Sequence, residues 1–203
     1  MTGLTINPAL MTNAAGGFTA TSEGYVQGFA LDDPAVRYEL VSGMVSPSAT
    51  SPMWGGMAIT ESLPTAGTEA DSVGSILALA TSQANITGFT VFNQSAAMYQ
   101  SAQSPCPLAP AGGGINFYRL GSGARIPVAC SQAVATALAG AAVDVALYWD
   151  YTNQVLLNAP GGTAIGVTLL GVVTAGNAQV VSYNSGTGFA TWNRSGYVAV
   201  IKI

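Results

Sequence analysis

The chain has 203 residues, a length that suits one domain with or without an appendage. It carries five basic and nine acidic side chains and no histidine, for a net charge of −4. So few cations exclude phosphate-dominated nucleic-acid binding, and the lack of histidine excludes a Ser-His-Asp triad, a Cys-His pair and any imidazole metal site. Because charges this sparse leave much of the surface neutral, we expect broad neutral faces of the kind that form contacts.

Residues 1–28 show neither a helical nor a strand period. Their apolar side chains stand apart in a segment rich in Thr, Ala, Asn and Gly: Leu4, Ile6, Leu10, Met11 and Phe18. Such a segment cannot bury enough apolar surface to fold alone, so it is either disordered or an arm that lies on another surface. We therefore divide the chain into an extended N-terminal arm over residues 1–28 and a single β-rich domain over residues 29–203. The five apolar residues of the arm are candidates for contact with a partner.

Short strands separated by loops are predicted between residues 25 and 114. Local composition and alternation predict four strands: residues 25–30, 37–45, 57–62 and 86–92. Residues 75–80 are too few for their periodicity to distinguish helix from strand, and Asp32-Asp33-Pro34 is typical of a turn. Prolines and glycines predict three loops: residues 46–56, 63–71 and 93–114. The last of these is long enough that we expect it to form a contact.

The centre of the chain, residues 115–128 (INFYRLGSGARIPV), predicts a β-hairpin because apolar and polar residues alternate on both sides of a glycine-rich loop. Pairing Phe117 with Ile126 sets Tyr118 opposite Arg125 and avoids the pairing of two arginines that a shift by one residue would create. We therefore expect Phe117 and Ile126 to face the core. Tyr118 and Arg125 should share the opposite face, where they are candidates for an interface with a partner or with another subunit.

The rest of the chain continues the β pattern. Pro127 cannot donate a ladder hydrogen bond, so its strand should lie at an edge or a bulge. Residues 131–140 predict a short helix capped by Ser131, and residues 143–149 and 154–158 predict a second hairpin. Four more strands follow: residues 166–174, 179–183, 188–192 and 197–203. Many short strands with regular turn signals predict an all-β fold, an antiparallel β-sandwich or barrel with long loops.

Paired carboxylates remain a possible catalytic arrangement, since a glycosidase needs only two carboxyl groups. The candidates are Glu23, Asp32, Asp33, Glu39, Glu61, Glu69, Asp71, Asp144 and Asp150. Asp32 and Asp33 precede a proline and Asp150 opens a hairpin turn, positions where carboxylates commonly hold turns, so we expect no enzyme activity and no catalytic residue. Cys106 and Cys130 are expected to be two buried free thiols, and no glycine or cysteine pattern indicates a cofactor or a metal.

Six aromatic residues allow a different interpretation, a platform that stacks on sugars: Trp54, Tyr148, Trp149, Tyr151, Trp192 and Tyr197. Core packing and interface anchoring explain these residues more simply. No secretory signal is predicted at residues 1–5, and the apolar window 133–149 is too short and too interrupted for a membrane span.

Six stretches stand out for their order along the chain. They are GFALDDPAVRYELVSGMV, PMWGGMAITESLP, ITGFTVFNQ, SPCPLAPAGGG, NFYRLGSGARIPVAC and LYWDYTNQVLL, within residues 25–203. In this order they resemble capsid decoration (cement) proteins of tailed bacteriophages. The resemblance implies a β-rich structural protein that binds several copies of the major capsid protein on the outer surface of the virion and stabilises the shell. It implies no catalytic residue and no cofactor.

The resemblance therefore implies two partners, the major capsid protein and further copies of this chain, which would form a trimer or a dimer. We expect the chain to bind neither nucleic acid nor membrane. Assembly would take place in the host cytoplasm, which suits free thiols. Two other functions stay open at this point. One is a carbohydrate-binding or tail-associated adhesion module with clustered exposed aromatic residues, and the other is a carbohydrate hydrolase with two carboxyl groups across a cleft.

Overall fold

The computed structural model describes residues 4–6, 18–20, 24–31, 33–64, 74–92, 99–101, 104–139, 145–159 and 162–203. Nearly half of these residues form strands in several sheets and far fewer are helical, which confirms the all-β prediction. The described strands are β1 (Leu4–Ile6), β2 (Phe18–Ala20), β3 (Tyr25–Val26), β4 (Val41–Val45), β5 (Ala58–Ser62), β6 (Ile76–Leu79), β7 (Gly88–Val91), β8 (Tyr99–Ser101), β9 (Ser104–Leu108), β10 (Gly114–Arg119), β11 (Arg125–Cys130), β12 (Tyr148–Asp150), β13 (Val155–Leu157), β14 (Thr168–Val173), β15 (Ala178–Asn184), β16 (Phe189–Asn193) and β17 (Tyr197–Lys202). The described helical segments are α1 (Gln132–Ala137) and two 3-10 turns (Arg37–Glu39 and Gln83–Asn85). None of them is long and apolar enough to cross a membrane.

Five strands close into a small barrel in the order β10-β4-β6-β5-β7. Neighbouring strands are antiparallel except β4 and β6, which run parallel. The barrel interior is filled by apolar side chains that have no exposed surface, among them Val45, Ile59, Leu77 and Phe117. Since successive side chains of a strand point to opposite faces, the same strands also present an outer face that other elements can cover.

A five-stranded sheet, in the order β12-β13-β11-β17-β14, packs against the barrel. Its Ile126 and Ile201 share one apolar cluster with Phe89 of β7 and Tyr118 of β10. Phe89 also meets Trp149 of β12 edge to face, with 5.2 Å between the ring centroids. Strands β7 and β10 are therefore buried on both faces along most of their length.

The predicted hairpin of residues 115–128 is wrong, although both of its strands form. β10 pairs with β4 and β7, whereas β11 pairs along its whole length with β17. Phe117 and Ile126 are both fully buried, as expected, but they belong to different clusters and Ile126 lies opposite Ile201. Alternation shows that a strand has two distinct faces, and it does not show which other strand will pair with it.

The face assignment built on that register is wrong as well. Tyr118 is only 7% exposed and packs in the cluster between the barrel and the five-stranded sheet, while Arg125 is partly exposed. Five of the six residues of β11 are buried, and β17 offers a run of four buried residues opposite them. Pairing two such strands removes more apolar surface from water than a hairpin with one solvated face, so β17 displaces the nearer strand.

Pro127 lies where β11 has one strand partner. β17 pairs with the whole of β11, but β13 meets it only at its last residue. On that second side the N–H of Gly28 donates to the carbonyl oxygen of Pro127 at 2.7 Å. The nitrogen and the carbonyl of one residue point to the same side of a strand, so the missing N–H of Pro127 faces this local edge. The sequence predicted that this strand lies at an edge or a bulge. β11 is instead an inner strand of its sheet, between β13 and β17, and only the side that faces Gly28 lacks a partner strand over most of its length.

Most other predicted elements are confirmed. Ser131 caps α1, its Oγ accepting a hydrogen bond from the N–H of Val134 at 3.3 Å. β12 and β13 form the second hairpin, and β14 to β17 match the four strands predicted near the end of the chain. Residues 75–80, which the sequence left undecided, contain the strand β6.

Three predictions of local structure are wrong in whole or in part. The strand predicted at residues 25–30 ends at Val26, where a turn follows. Residues 37–39 form a 3-10 turn ahead of β4 and not the start of a strand. Residues 93–114, predicted to lack any element, contain β8 and β9. Prolines stand two residues apart in β9, at Pro105 and Pro107, so their nitrogens face one side of the strand. Among the described strands β9 pairs with β8 alone, and a strand with one partner tolerates prolines on its other side.

Three sheets meet at Gln27 and Gly28. Gln27 extends the pairing of β3 with β15, in the sheet ordered β16-β15-β3, by donating its N–H to the carbonyl of Gln179 at 2.9 Å. Gly28 donates to Pro127 of β11, and its carbonyl accepts from the N–H of Phe92 at the end of β7 at 2.8 Å. Gln27 is only 1% exposed, so the last residues of the segment that we assigned to an arm lie inside the folded domain.

The junction leaves no room for a side chain. Gly28 has a φ of +79°, and a Cβ on it would lie 2.4 Å from the backbone of Gly55. A Cβ on Gly55 would in turn lie 2.8 Å from the Cα of Gly28. Only glycine at both positions allows the two backbone segments to approach this closely.

We expect Gly28→Ala to lower the free energy of unfolding by about 3 kcal/mol or more, because the new methyl group would overlap backbone that cannot rotate away. Gly176→Ala is the matched control: its φ is +86°, but nothing lies within 4 Å of its Cβ position. Gly176→Ala should lower the free energy of unfolding by about 1 kcal/mol, because backbone strain is the one unfavourable effect of the substitution. Urea unfolding measures both values, and equal costs would show that the contact with Gly55 does not matter.

Candidate interaction surface

Seven of the nine charged side chains in the described part of the chain lie together, at what we call the charged end. They are Asp33, Arg37, Glu39, Glu61, Arg119, Arg125 and Lys202. Asp33 is 3.5 Å from Arg125, which lies opposite Lys202 on β17. The pKa of Arg119 is raised by its hydrogen bonds to Glu61 and further by the charge of Glu39, whose 3-10 turn also holds Arg37. The remaining two, Asp150 and Arg194, lie in separate turns.

Glu61 and Arg119 form the strongest ion pair of the charged end. The Nε and Nη2 atoms of Arg119 donate to the two carboxylate oxygens of Glu61 at 2.7 and 2.6 Å, and Ser75 Oγ donates to Oε1 at 2.6 Å. The hydrogen bond from Arg119 is the main reason why the pKa of Glu61 is lowered. Glu61 is on β5 and Arg119 on β10, with β7 between them, so the pair ties three strands at one rim of the barrel.

Two other described carboxylates hold turns, as the sequence predicted. Asp33 Oδ1 accepts the N–H of Ala35 at 3.0 Å. Asp150 Oδ1 accepts the N–H groups of Thr152 and Asn153, both at 2.9 Å, and the Asn153 side chain donates to Oδ2. The hydrogen bond from that side chain is the main reason why the pKa of Asp150 is lowered. The other acidic candidates at positions 23, 32, 69, 71 and 144 lie outside the described residues.

The two cysteines are buried free thiols, as predicted. Burial raises the pKa of both Cys106 and Cys130 to about 12, so both stay protonated at neutral pH. Within the described ranges, no group of three His, Cys, Asp or Glu side chains is placed to hold a metal ion.

A groove of about 280 Å³ lies between two loops and the start of β16. It is lined by Ala49, Thr50, Ser51, Pro52, Leu108, Pro110, Ala111 and Gly188, none of which is charged, and we call it the uncharged groove. Its two loops are held together by paired backbone hydrogen bonds between Met53 and Ala109, at 2.9 and 2.8 Å. Next to it, Phe189 exposes 44% of its surface. Neutral concave walls beside an exposed aromatic ring are typical of a protein-binding surface.

Aromatic side chains support the floor beneath this groove. Phe92 packs on Trp192 with ring centroids 5.8 Å apart, and Trp54 packs on Tyr183 at 5.5 Å. Leu108 belongs both to this cluster and to the groove lining. Leu108 thus connects the groove lining to a packed aromatic cluster.

The structure does not gather the six aromatic residues into one platform. Trp54 and Trp192 lie under the uncharged groove, whereas Trp149, Tyr151 and Tyr197 pack in or against the large cluster between barrel and sheet. Tyr148 lies beside Trp149 on β12, where it lines a separate pocket.

The predicted interface residues are scattered over the described fold. Leu4, Ile6 and Phe18 lie in β1 and β2, which pair antiparallel with Ile6 opposite Phe18, and their side chains lie outside the described part. Leu10 and Met11 lie wholly outside it. Of the two hairpin candidates, Tyr118 is buried in the core and Arg125 lies at the charged end.

The groove residues themselves were not predicted one by one, but their segments were. The groove is lined by the loop predicted at residues 46–56 and by the segment 93–114, which we expected to form a contact. What the sequence could not show is that these two segments meet.

No protein-family model matches this chain, and no curated protein or solved structure matches it either.

We expect Glu61→Gln to lower the free energy of unfolding by about 1–2 kcal/mol at pH 7, since it removes one charge from a bidentate, partly buried pair. Because the pKa of Glu61 is lowered in the folded state, this stabilisation is complete above the unfolded pKa of about 4.5. It is lost as the pH falls below that value and through the lowered folded pKa. Urea unfolding at several pH values should therefore show the native chain and the variant converging in acid.

The control is Asp33→Asn, which removes a charge from the longer and more exposed ion pair with Arg125. It should lower the free energy of unfolding by about 0–1 kcal/mol. A Glu61→Gln chain as stable as the native one at pH 7 would contradict the structural role of this pair.

Proposed function

We propose that this chain is a structural virion protein that binds the outer surface of a phage capsid shell and stabilises it. It does so by contacting several copies of the major capsid protein and, as a trimer or a dimer, further copies of itself. In this proposal the chain is not an enzyme. The order of its sequence stretches, which resembles capsid decoration proteins, supports the proposal, and so does the all-β fold.

The observation that carries the proposal is the segregation of charge. Seven of the nine described charged side chains lie at the charged end, and the uncharged groove contains none. Burying a charge in an interface costs desolvation energy, so the centres of protein interfaces are poor in charged residues. The uncharged groove is therefore suited to contact with the capsid shell, whereas the charged end is suited to remain exposed to water.

A partner surface for the groove would be neutral and shaped to enter it. Its centre would fill the space between the two loops, and Phe189 would provide an aromatic anchor at the rim. Because the paired Met53 and Ala109 backbones fix both loops, we expect the groove to change little on binding.

We expect Ala111→Glu to weaken binding to emptied capsid shells at least about tenfold, because it places an unpaired carboxylate in the interface. Ala35→Glu makes the same substitution at another exposed position, beside the charged end, and should leave the affinity unchanged. Co-sedimentation of each variant with the shells measures both affinities.

Native binding should also be nearly constant between about 0.05 and about 0.5 M salt, since the proposed contact contains no ion pair. Equal effects of the two substitutions, or a steep loss of affinity with salt, would contradict the proposed contact surface.

A further inference from the structure

A second pocket lies beside β12, the edge strand of the five-stranded sheet. Its volume is about 370 Å³, within the range of small-molecule sites. It is lined by aromatic residues of β12 and the turn after it, by Gln83 with its neighbours, and by Gly162 and Thr163; the aromatic residues are Tyr148, Trp149 and Tyr151. We call it the tyrosine pocket. It shares no lining residue with the uncharged groove.

The walls of the tyrosine pocket combine flat apolar surface with neutral hydrogen-bonding groups. The tyrosine rings supply the first, and the hydroxyl and amide groups of Ser82, Gln83 and Thr163 supply the second. No lining residue is charged. Asp150, which stands between the two tyrosines, directs both carboxylate oxygens into its own turn.

Both walls are held in place by local hydrogen bonds. Ser82 and Asn85 form a reciprocal capping box around the 3-10 turn, with Asn85 Oδ1 accepting the N–H of Ser82 at 3.0 Å. On the other wall, Asp150 fixes the turn that follows Tyr148 and contains Tyr151. Because the side chains and turns around the pocket are already held in place, the protein loses little conformational entropy when a ligand binds.

The hydroxyl of Tyr151 is a buried polar group that makes no hydrogen bond to any described residue. Burial also raises the pKa of this hydroxyl, so it stays protonated and able to donate. This oxygen exposes almost no surface, so a ligand in the pocket meets the ring of Tyr151 and not its hydroxyl. The polar groups that a ligand can meet are the hydroxyl and amide groups of Ser82, Gln83 and Thr163, and they suit a ligand rich in hydroxyl groups.

We propose that the tyrosine pocket binds a neutral saccharide. A sugar ring has one face of C–H groups, which stacks on the ring of Tyr148, and a rim of hydroxyl groups that both donate and accept hydrogen bonds. Ser82, Gln83 and Thr163 offer the matching donors and acceptors. A phosphate, a carboxylate or an ammonium group would lose its hydration here without gaining an opposite charge, so charged ligands are disfavoured.

The test is a titration of the full chain, followed by protein NMR, with neutral oligosaccharides of glucose, galactose, mannose and N-acetylglucosamine. At least one should bind with a dissociation constant of about 1 to 10 mM, the affinity reached by one or two rings in a small pocket. Shifted resonances should map to the tyrosine pocket. Sialylated or phosphorylated versions of the same sugars, used as charged probes, should bind no more tightly at this site.

Tyr148→Ala should weaken saccharide binding at least tenfold, and Thr163→Arg, which brings a bulky charge to the facing wall, should abolish it. Tyr38→Ala is the matched control, since Tyr38 is 92% exposed and far from these lining residues in sequence, and it should bind as the native chain does. A thermal melt of each variant serves to check that it is folded. The proposal is overturned if no neutral oligosaccharide binds, if binding maps elsewhere, or if Tyr148→Ala binds as tightly as the control.

Ala111→Glu, in the uncharged groove, should leave saccharide binding unchanged. Loss of capsid binding with intact sugar binding, or the reverse, would therefore separate failure of the proposed function from failure of this inference.

Discussion

The close contact between the backbones of Gly28 and Gly55 holds the sheets of this protein in register with one another. At this point hydrogen bonds from Gln27 and Gly28 reach β15, β11 and the end of β7, so a single short segment belongs to three sheets. Thr90 of β7 fixes the other side of the contact, since its Oγ1 donates to the carbonyl of Trp54 at 2.6 Å. Moving Gly28 would break its backbone hydrogen bonds to Pro127 of β11 and to Phe92 at the end of β7.

This junction also determines where the surfaces lie. Trp54, next to Gly55, packs under the uncharged groove, while Phe89, next to Thr90, packs against Trp149 beside the tyrosine pocket. Both candidate sites thus stand on side chains that flank the junction. A groove for a protein partner and a pocket for a small neutral ligand are compatible because they share no lining residue.

The sequence predicts well what local physics decides. The cap of α1 by Ser131, the turn roles of Asp33 and Asp150, and the hairpin of β12 and β13 all depend on residues a few positions apart. It fails where distant strands compete for one partner, as when β17 takes the place predicted for β10 beside β11. Alternation assumes one solvated face, and β7 and β10 have none over most of their length.

The same distinction holds for the surfaces. From composition, which is local information, we expected residues 93–114 to form a contact. The same composition allowed six aromatic residues, Tyr148 and Tyr151 among them, to stack on sugars, although core packing explained them more simply. It does not show that the loops around Thr50 and Ala111 meet, or that Gln83 faces the tyrosines, because both depend on strand order. The sequence also does not show that seven charged side chains gather at one end of the molecule, because they come from five separate segments of the chain.

Electron microscopy of capsid shells with and without this chain would show directly whether the chain binds them and by which face. We expect extra density on the outer surface of the shell, with the uncharged groove and Phe189 against the major capsid protein and the charged end toward solvent. Shells without added density, or a bound chain whose charged end faces the shell, would contradict it.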